Sequence, residues 1–398
     1  MNALYTLFEN DFLRIADIAA GHRKYLHAHP ELSGKEEKTS QYITKVLTDM
    51  GLKNIVHYEN HGLSVFLGKE NSKTIAIRAE MDALPLEEAN EVDYVSRNHG
   101  VMHACGHDVH MGIMLGIAFL LHEHSQHLPF GVKLIFQPSE ETLPGGALEM
   151  INSGVLENPK VDYMLGLHVL PEMKAGKVAF RKGLYMASSD EIYLTLIGKG
   201  GHAAMPHLLN DPVVCAAQLV TTLQQAISRR TSPEIPSVLS FGKFIANGRT
   251  NVIPDVVEIE GTFRTFDEEW RKKAHDLIKE ICVNTAETSG VAADLKIIKG
   301  YPVLSNDSVL TEKVLLSAKK HLGDTNVEEL QLRMTADDFA YYTQHVPSCY
   351  FRIGSGDPSN DTVRNLHTPL FDVHEDVYIT GLRAMTAALM VFTDVNIE

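Results

Sequence analysis

The sequence predicts an α/β body interrupted by a smaller α+β module. Three observations lead there. Helix-like and strand-like segments alternate from the N-terminus to about residue 170. Between about 184 and 298 the order changes to β-α-β-β-α-β, as in a small sheet with helices on one face. Alternation then resumes to the C-terminus. The 398 residues are enough for such a division. The expected parts are a catalytic body in two pieces, 1–183 and 299–398, and an inserted domain over 184–298.

In order, residues 11–28 read as an amphipathic helix and 37–51 as a second, ending at Gly51. LSVFLG (63–68), TIAIRA (74–79), VKLIFQ (132–137) and DYMLGLHV (162–169) read as buried strands. Between the second and third of these, HMGIMLGIAFLLHEH is a strongly apolar helix. In the inserted part, EIYLTLIGKGG (191–201) alternates apolar and polar residues like a half-exposed strand, and an exposed edge is expected of it. A helix over 213–230, SVLSFGKFIA, VVEIEGTFRTF, a helix over 267–289 and ADLKII follow. Beyond lie a helix near 308–321 and the strand YFRIG at 350–354.

The composition is that of a globular chain, 44% hydrophobic and 22% charged. A net charge of −15, from 36 Lys+Arg against 51 Asp+Glu, gives no electrostatic reason for a nucleic acid or an anionic membrane as partner. The first thirty residues carry charges every few positions, unlike a signal peptide. Cys105, Cys215, Cys282 and Cys349 lack disulfide-scaffold spacing, so a reducing cytoplasm is the expected location.

The chemistry concentrates in four places. MHACGHDVHMG (102–112) packs three histidines, a cysteine and an aspartate into eight residues. Cys105 and His107, two apart, would point the same way in an extended segment, and thiolate with imidazole suits zinc and similar metals. Asp108 reads as the cap of the following helix. The alternative is a His-rich loop with a buried free cysteine. FQPSEETLPGG places Glu140 beside Glu141 directly after a strand. Metal-assisted hydrolysis needs one carboxylate as ligand and another as base, whereas a solvated acidic loop needs neither. LGLHV places His168 in an apolar run, as a ligand or a hydrogen-bonded core residue. NLHTPLF carries His367. Cys105, Glu140, Glu141 and His168, with Glu80 and Asp82 after TIAIRA, are all expected in loops at or beyond strand carboxyl ends, where open α/β sheets hold their sites.

Taken in order, LHAHPELSGKE (26–36), RAEMDALPL (78–86), MHACGHDVHMG, QPSEE (137–141), GLHV (166–169), GKGGHAAMPH (198–207), TNVIPD (250–255), GTFRTF (261–266) and LHTPLFDVHED (366–376) make the chain resemble the M20 metallopeptidase and amidohydrolase family. The similar branch contains hippurate hydrolases, aminoacylases, N-acetyl-diaminopimelate deacetylases and plant auxin-conjugate hydrolases. The resemblance implies a mixed-sheet catalytic body with two divalent metal ions per subunit, zinc or manganese first and nickel or cobalt next. It implies a lid that also pairs subunits into a homodimer or larger homo-oligomer. The metal ligands it implies are Cys105, His107, Glu141, His168 and His367. Glu140 would be the general base, Asp82 would orient the cluster, and His202 in the lid would approach the scissile carbonyl. Asn251 and Arg264 would hold a substrate carboxylate. Two positions depart from the family pattern: Glu80 stands where an aspartate is usual, and Asp337-Asp338-Phe339 where Glu-Asp-Phe is usual.

The reaction implied is hydrolysis of an N-acyl amino acid to a free amino acid and a carboxylic acid. A dipeptidase or carboxypeptidase of the same family would use the same groups. A non-catalytic zinc protein would leave Glu140 unexplained, and a Cys105 nucleophile would survive chelation.

Overall fold

The computed structural model describes residues 3–360 and 362–393. The chain divides into two compact units. The first takes in everything up to Tyr185, then Ser305–Gln331 and Asp338 onward; the second is Met186–Leu304 with Leu332–Asp337. The return of six residues to the second unit has no signature in the sequence pattern.

The first unit opens with α1 (Ala3–Glu9), α2 (Phe12–Ala28), α3 (Glu37–Asp49), β1 (Ile55–His57), β2 (Leu63–Gly68), β3 (Thr74–Glu80), α4 (His107–Glu123), β4 (Gly131–Gln137), α5 (Gly146–Asn152), β5 (Tyr163–Lys174) and β6 (Val178–Phe180). Then β7 (Gly183–Met186) leads into the second unit. That unit comprises β8 (Asp190–Ile197), β9 (Gly201–His202), α6 (Pro212–Gln225), β10 (Ser237–Ile245), β11 (Val252–Ile253), β12 (Val256–Thr265), α7 (Glu268–Thr288) and β13 (Ala292–Lys299). The return passes through β14 (Leu304–Asn306), which pairs with β7, and continues with α8 (Ser308–Leu322), β15 (Val327–Glu329), α9 (Phe339–Thr343), β16 (Ser348–Gly356) and α10 (Asp376–Met390).

The first unit holds a mixed sheet in the order β1-β2-β4-β3-β5-β16-β6-β15. Its centre, β4-β3-β5-β16, is parallel throughout, so the carboxyl ends of these four strands share one edge. Every residue of β3 and β4 is buried, as expected of central parallel strands covered on both faces. α4 is apolar nearly all round and is buried along its length. It lies against α2 at Gly112, where a Cβ would stand 2.8 Å from the Ala19 carbonyl oxygen.

The second unit holds a four-stranded antiparallel sheet, β10-β12-β8-β13. Alternate residues of β8 (Ile192, Leu194, Leu196) meet Cys215, Leu219 and Leu223 of α6 and Ala274, Ile278 and Cys282 of α7. Those helix residues fall at four-residue spacing, one face of each helix. Asp211 and Asp267 cap the two helices, accepting from Val213 N at 2.8 Å and Trp270 N at 2.6 Å. The expected free edge on β8 is overturned. β8 pairs with β12 on one side and β13 on the other, and the sheet's edges are β10 and β13. Its alternation reports one buried face, not an unpaired side.

Candidate active site

The parallel strands deliver the acidic residues to one edge. β3 ends at Glu80; Met81 N continues the ladder by donating to Gln137 O at 2.8 Å, which brings Asp82 level with the turn after β4. In that turn Ser139 has φ +56°, in the left-handed region that non-glycine residues rarely occupy. Glu140 and Glu141 follow, and Glu141 N donates to Asp82 Oδ2 at 2.9 Å. Ser33 Oγ donates to the same oxygen at 2.7 Å.

Cys105 and His107 do not lie on an extended segment. Gly106 between them has φ +85° and turns the chain into α4. A side chain there would also meet Val169 Cγ2 at 2.6 Å, so only glycine fits. The helix therefore starts at His107, and Asp108 lies in its first turn rather than capping it. Its carboxylate accepts from Arg23 Nε at 2.7 Å and contacts His27 Nδ1 at 2.7 Å. His168 is not in a loop but within β5, in register with Arg352 of β16. His367 sits in a loop at φ +59°, its N–H donating to Ala104 O at 2.8 Å.

These elements bring five potential donor side chains together. Cys105 Sγ lies 3.5 Å from His168 Nε2 and 3.3 Å from His367 Nε2. His367 Nε2 lies 3.3 Å from Glu141 Oε1. His107 Nδ1 faces the Asp82 carbonyl at 2.8 Å and Oδ1 at 3.2 Å, which turns its Nε2 inward, buried and without a hydrogen-bond partner. Three overlapping groups result, each with donor atoms within 4.8 Å of one another: Cys105/His107/His168, Cys105/Glu141/His367 and His107/Glu140/Glu141. Neighbouring ligands of a tetrahedral cation, at about 2.1 Å for nitrogen and 2.3 Å for sulfur, stand about 3.6 Å apart. The sulfur-to-nitrogen spacings match that figure, and an orphaned buried imidazole nitrogen is what a cation would satisfy. The donor set fits a metal centre, and the overlapping groups give room for two ions.

Burial and neighbouring charges set the proton affinity of each donor. Burial pushes the Cys105 thiol well above its ordinary value, and the Glu141 and Glu140 carboxylates push it further. An activated cysteine nucleophile needs the opposite. Burial disfavours the His107 imidazolium, but the Asp82 hydrogen bond and the Glu80 and Asp82 charges outweigh it and raise His107 to about 10. Burial, with the Arg352 charge, holds His168 well below its ordinary value and so neutral, the form that ligates. Burial would raise Asp82, yet His107 holds it below the usual carboxylate range.

Glu80 stands apart from these groups. It pairs with the buried Arg78 and with His110 Nδ1 at 2.8 Å, and His110 Nε2 accepts from Val169 N at 3.0 Å. Arg78 also pairs with Asp338, which accepts from Gln137 Nε2 and from Ala147 N at 3.0 Å. In the second unit, His202 lies on β9 of the two-stranded ribbon of β9 and β11, and Asn251 in the turn just before β11. His202 pairs with Val252, Ala203 N donates to Asn251 O at 3.1 Å, and both side chains are exposed. Arg264, on β12, donates to Met334 O at 3.0 Å.

Residues 76–391 match the model of peptidase family M20/M25/M40. The chain belongs to this family. It is accordingly a hydrolase of amide bonds. Over 360 residues it is 36% identical to the N-acetyl-L-cysteine deacetylase of Bacillus subtilis, covering 90% of this chain and 84% of that protein. It is 34% identical over 393 residues to thermostable carboxypeptidase 2 of Saccharolobus solfataricus, covering 97% and 98%. The crystal structure of the Bacillus subtilis YXEP protein, a dinuclear metal binding peptidase from the M20 family, superposes with a TM-score of 0.77 at 28% identity, covering 95% of this chain and 98% of that one.

Several residues that support this M20 site carried no separate signal. Arg23 reaches Asp372 at 2.9 Å as well as Asp108. His27 lies between Asp108 and Glu88, whose oxygen is 3.0 Å away. Asn90 Nδ2 donates to Phe371 O at 2.9 Å. Together they tie the start of α4 to the His367 loop. Arg23 and His27 fall on the buried face of α2; His27 and Asp372 lie within the stretches 26–36 and 366–376 that carried the resemblance, with no role attached to either.

Proposed function

We propose that this protein is a two-metal amidohydrolase that removes the acyl group from N-acyl amino acids. The observation that carries the reading is the meeting of Cys105, His107, Glu141, His168 and His367 donor atoms with a second, nearly buried glutamate beside them. The five would hold the ions, zinc or manganese first, nickel or cobalt next. Bound there, two divalent cations supply Lewis acidity to the attacking water and to the scissile carbonyl.

The chain's own groups do the rest. Glu140, 7% exposed, takes the proton of the attacking water and returns it to the leaving amine. Asp82 fixes the His107 tautomer through Nδ1 and holds the Glu141 backbone. His202 donates to the oxyanion. Asn251 and Arg264 hold the free carboxylate, which Arg can grip bidentately.

A second reading is cleavage of a dipeptide or a C-terminal residue by the same groups; the likeness to a carboxypeptidase over nearly the whole of both chains favours it. The sheet of the second unit has two edge strands, β10 and β13, and unpaired edges suit a twofold homodimer built through that unit. Among the described residues no helix is long and apolar enough to cross a membrane, and we place the enzyme in the cytoplasm. The test is turnover on a panel of N-acetyl, N-benzoyl and N-indolylacetyl amino acids beside dipeptides, with manganese, zinc, cobalt and nickel supplied separately. N-acyl amino acids turned over faster than every dipeptide support the first reading, and the reverse order establishes the second.

A further inference from the structure

The segment ELSGKE (31–36) touches both acid-bearing turns, and none of its residues has a place in the chemistry above. Glu31 O accepts from Ala83 N at 2.8 Å, and Ser33 Oγ donates to Asp82 Oδ2 at 2.7 Å. At the other end the Glu36 carboxylate, fully buried, accepts from Ser139 N at 2.8 Å and lies 3.4 Å from Ser139 Oγ. The segment is itself tied down, because Glu31 Oε2 accepts from Thr39 N and Oγ1 at 2.8 and 2.9 Å.

Ser139 is the residue that needs holding. Its φ of +56° is a conformation that non-glycine residues rarely adopt and that persists only where the surroundings impose it. Two bonds impose it here. Glu36 takes the N–H, and Gly146 N donates to Ser139 O at 3.1 Å. The turn has no slack, since a Cβ on Gly146 would stand 1.9 Å from Pro138 O. Ser139 precedes Glu140 directly, so its backbone dihedrals aim the Glu140 side chain.

We propose that Glu36 is a positioning residue: by holding the Ser139 N–H it fixes the left-handed turn that points Glu140 at the attacking water. The proposal rests on the reading of Glu140 as general base. Its reach is mechanical. What Glu36 supplies is an acceptor at the right place, and a neutral amide oxygen supplies one as well.

Glu36→Met fills the same buried space without an acceptor, and Glu36→Gln keeps one. A base misplaced by about 1 Å loses up to about 100-fold in rate. Glu36→Met is therefore expected to lower kcat about 10- to 100-fold, with KM within about threefold and metal content unchanged. Glu36→Gln should stay within about threefold of the parent. Glycine adopts positive φ at no steric cost, so adding Ser139→Gly to Glu36→Met should restore kcat about tenfold. Glu36→Ala repeats the comparison should the methionine variant fail to fold. A Glu36→Met enzyme with full kcat overturns the proposal, as does a Glu36→Gln enzyme as slow as Glu36→Met, or a double variant no faster than the single. Glu140→Gln, assayed alongside, separates two failures. If it is inactive while Glu36→Met is fully active, only the positioning role falls. If Glu140→Gln is fully active, the base reading falls and the proposal with it.

Discussion

Asp82→Asn is the sharpest probe of how the donor cluster is held. Asp82 makes three side-chain contacts: Oδ2 accepts from Ser33 Oγ and Glu141 N, and Oδ1 faces His107 Nδ1 at 3.2 Å. Asparagine has one acceptor oxygen. Two donors already converge on the Oδ2 position, so the amide oxygen takes that place and the NH2 group faces His107. The His107 proton keeps the Asp82 carbonyl at 2.8 Å, but the charged partner that orients the ring and strengthens it as a ligand is gone. Replacing such an outer partner typically lowers metal affinity about 10- to 100-fold, about 1.4–2.7 kcal/mol. Competition with a chromophoric chelator reads the affinity directly, and thermal melts with and without metal read the stabilisation it gives the fold. Asp82→Ala should fall further, because the Glu141 backbone N–H also loses its acceptor. An Asp82→Asn protein with unaltered metal affinity would refute the argument that this carboxylate sets His107.

Asp190→Asn in the second unit is expected to cost about 3 kcal/mol, since it leaves the buried Arg271, whose NH2 lies 2.5 Å from the carboxylate, with Glu268 as its one remaining carboxylate partner among the described residues. Burial would raise Asp190, but His275 and Arg271 hold its folded pKa below 3.8; its contribution is therefore complete above pH 3.8 and lost as pH falls through the lower folded value, so denaturation curves of parent and variant should converge only in strong acid. Lys133→Met removes bonds from Nζ to the carbonyls of Val155, Glu157 and Pro159 and should cost about 2 kcal/mol by urea unfolding, with kcat unchanged. His202→Ala should lower turnover strongly with metal content intact. If His202 acts across a dimer, mixing that variant with Glu140→Gln subunits restores part of the activity; subunits that exchange, verified by mass, with no recovery rule the arrangement out.

The layer architecture was legible because its signals are local: short, mostly apolar runs at 74–79 and 132–137, and four-residue spacing on α6 and α7. The residues that converge were legible as types, since thiol, imidazole and paired carboxylates announce ligand chemistry wherever they sit. Their local geometry was not. Gly106 turns the chain between Cys105 and His107, which displaced the expected cap at Asp108, and nothing in the pattern shows that this glycine is left-handed. His168 was expected in a loop at the carboxyl end of its strand, yet β5 carries straight through it to Lys174. Pairing is equally invisible in one strand's alternation, so β8 read as an edge. α10 escaped notice because it is apolar on nearly every side, which erases the helical period. Glu36 and Ser33 lie within the LHAHPELSGKE stretch, but their partners Ser139 and Asp82 are far along the chain, so what they hold shows only in three dimensions.

The measurement that bears most directly on the central claim is metal content and turnover determined together for Glu140→Gln, Glu141→Gln and the metal-stripped parent. The account predicts that Glu140→Gln binds two divalent ions and loses about 10²- to 10⁴-fold in turnover, that Glu141→Gln loses metal, and that the stripped parent is inactive until a divalent ion is restored. Full activity without metal, or a Glu140→Gln protein that loses its metal while Glu141→Gln keeps it, would contradict the account.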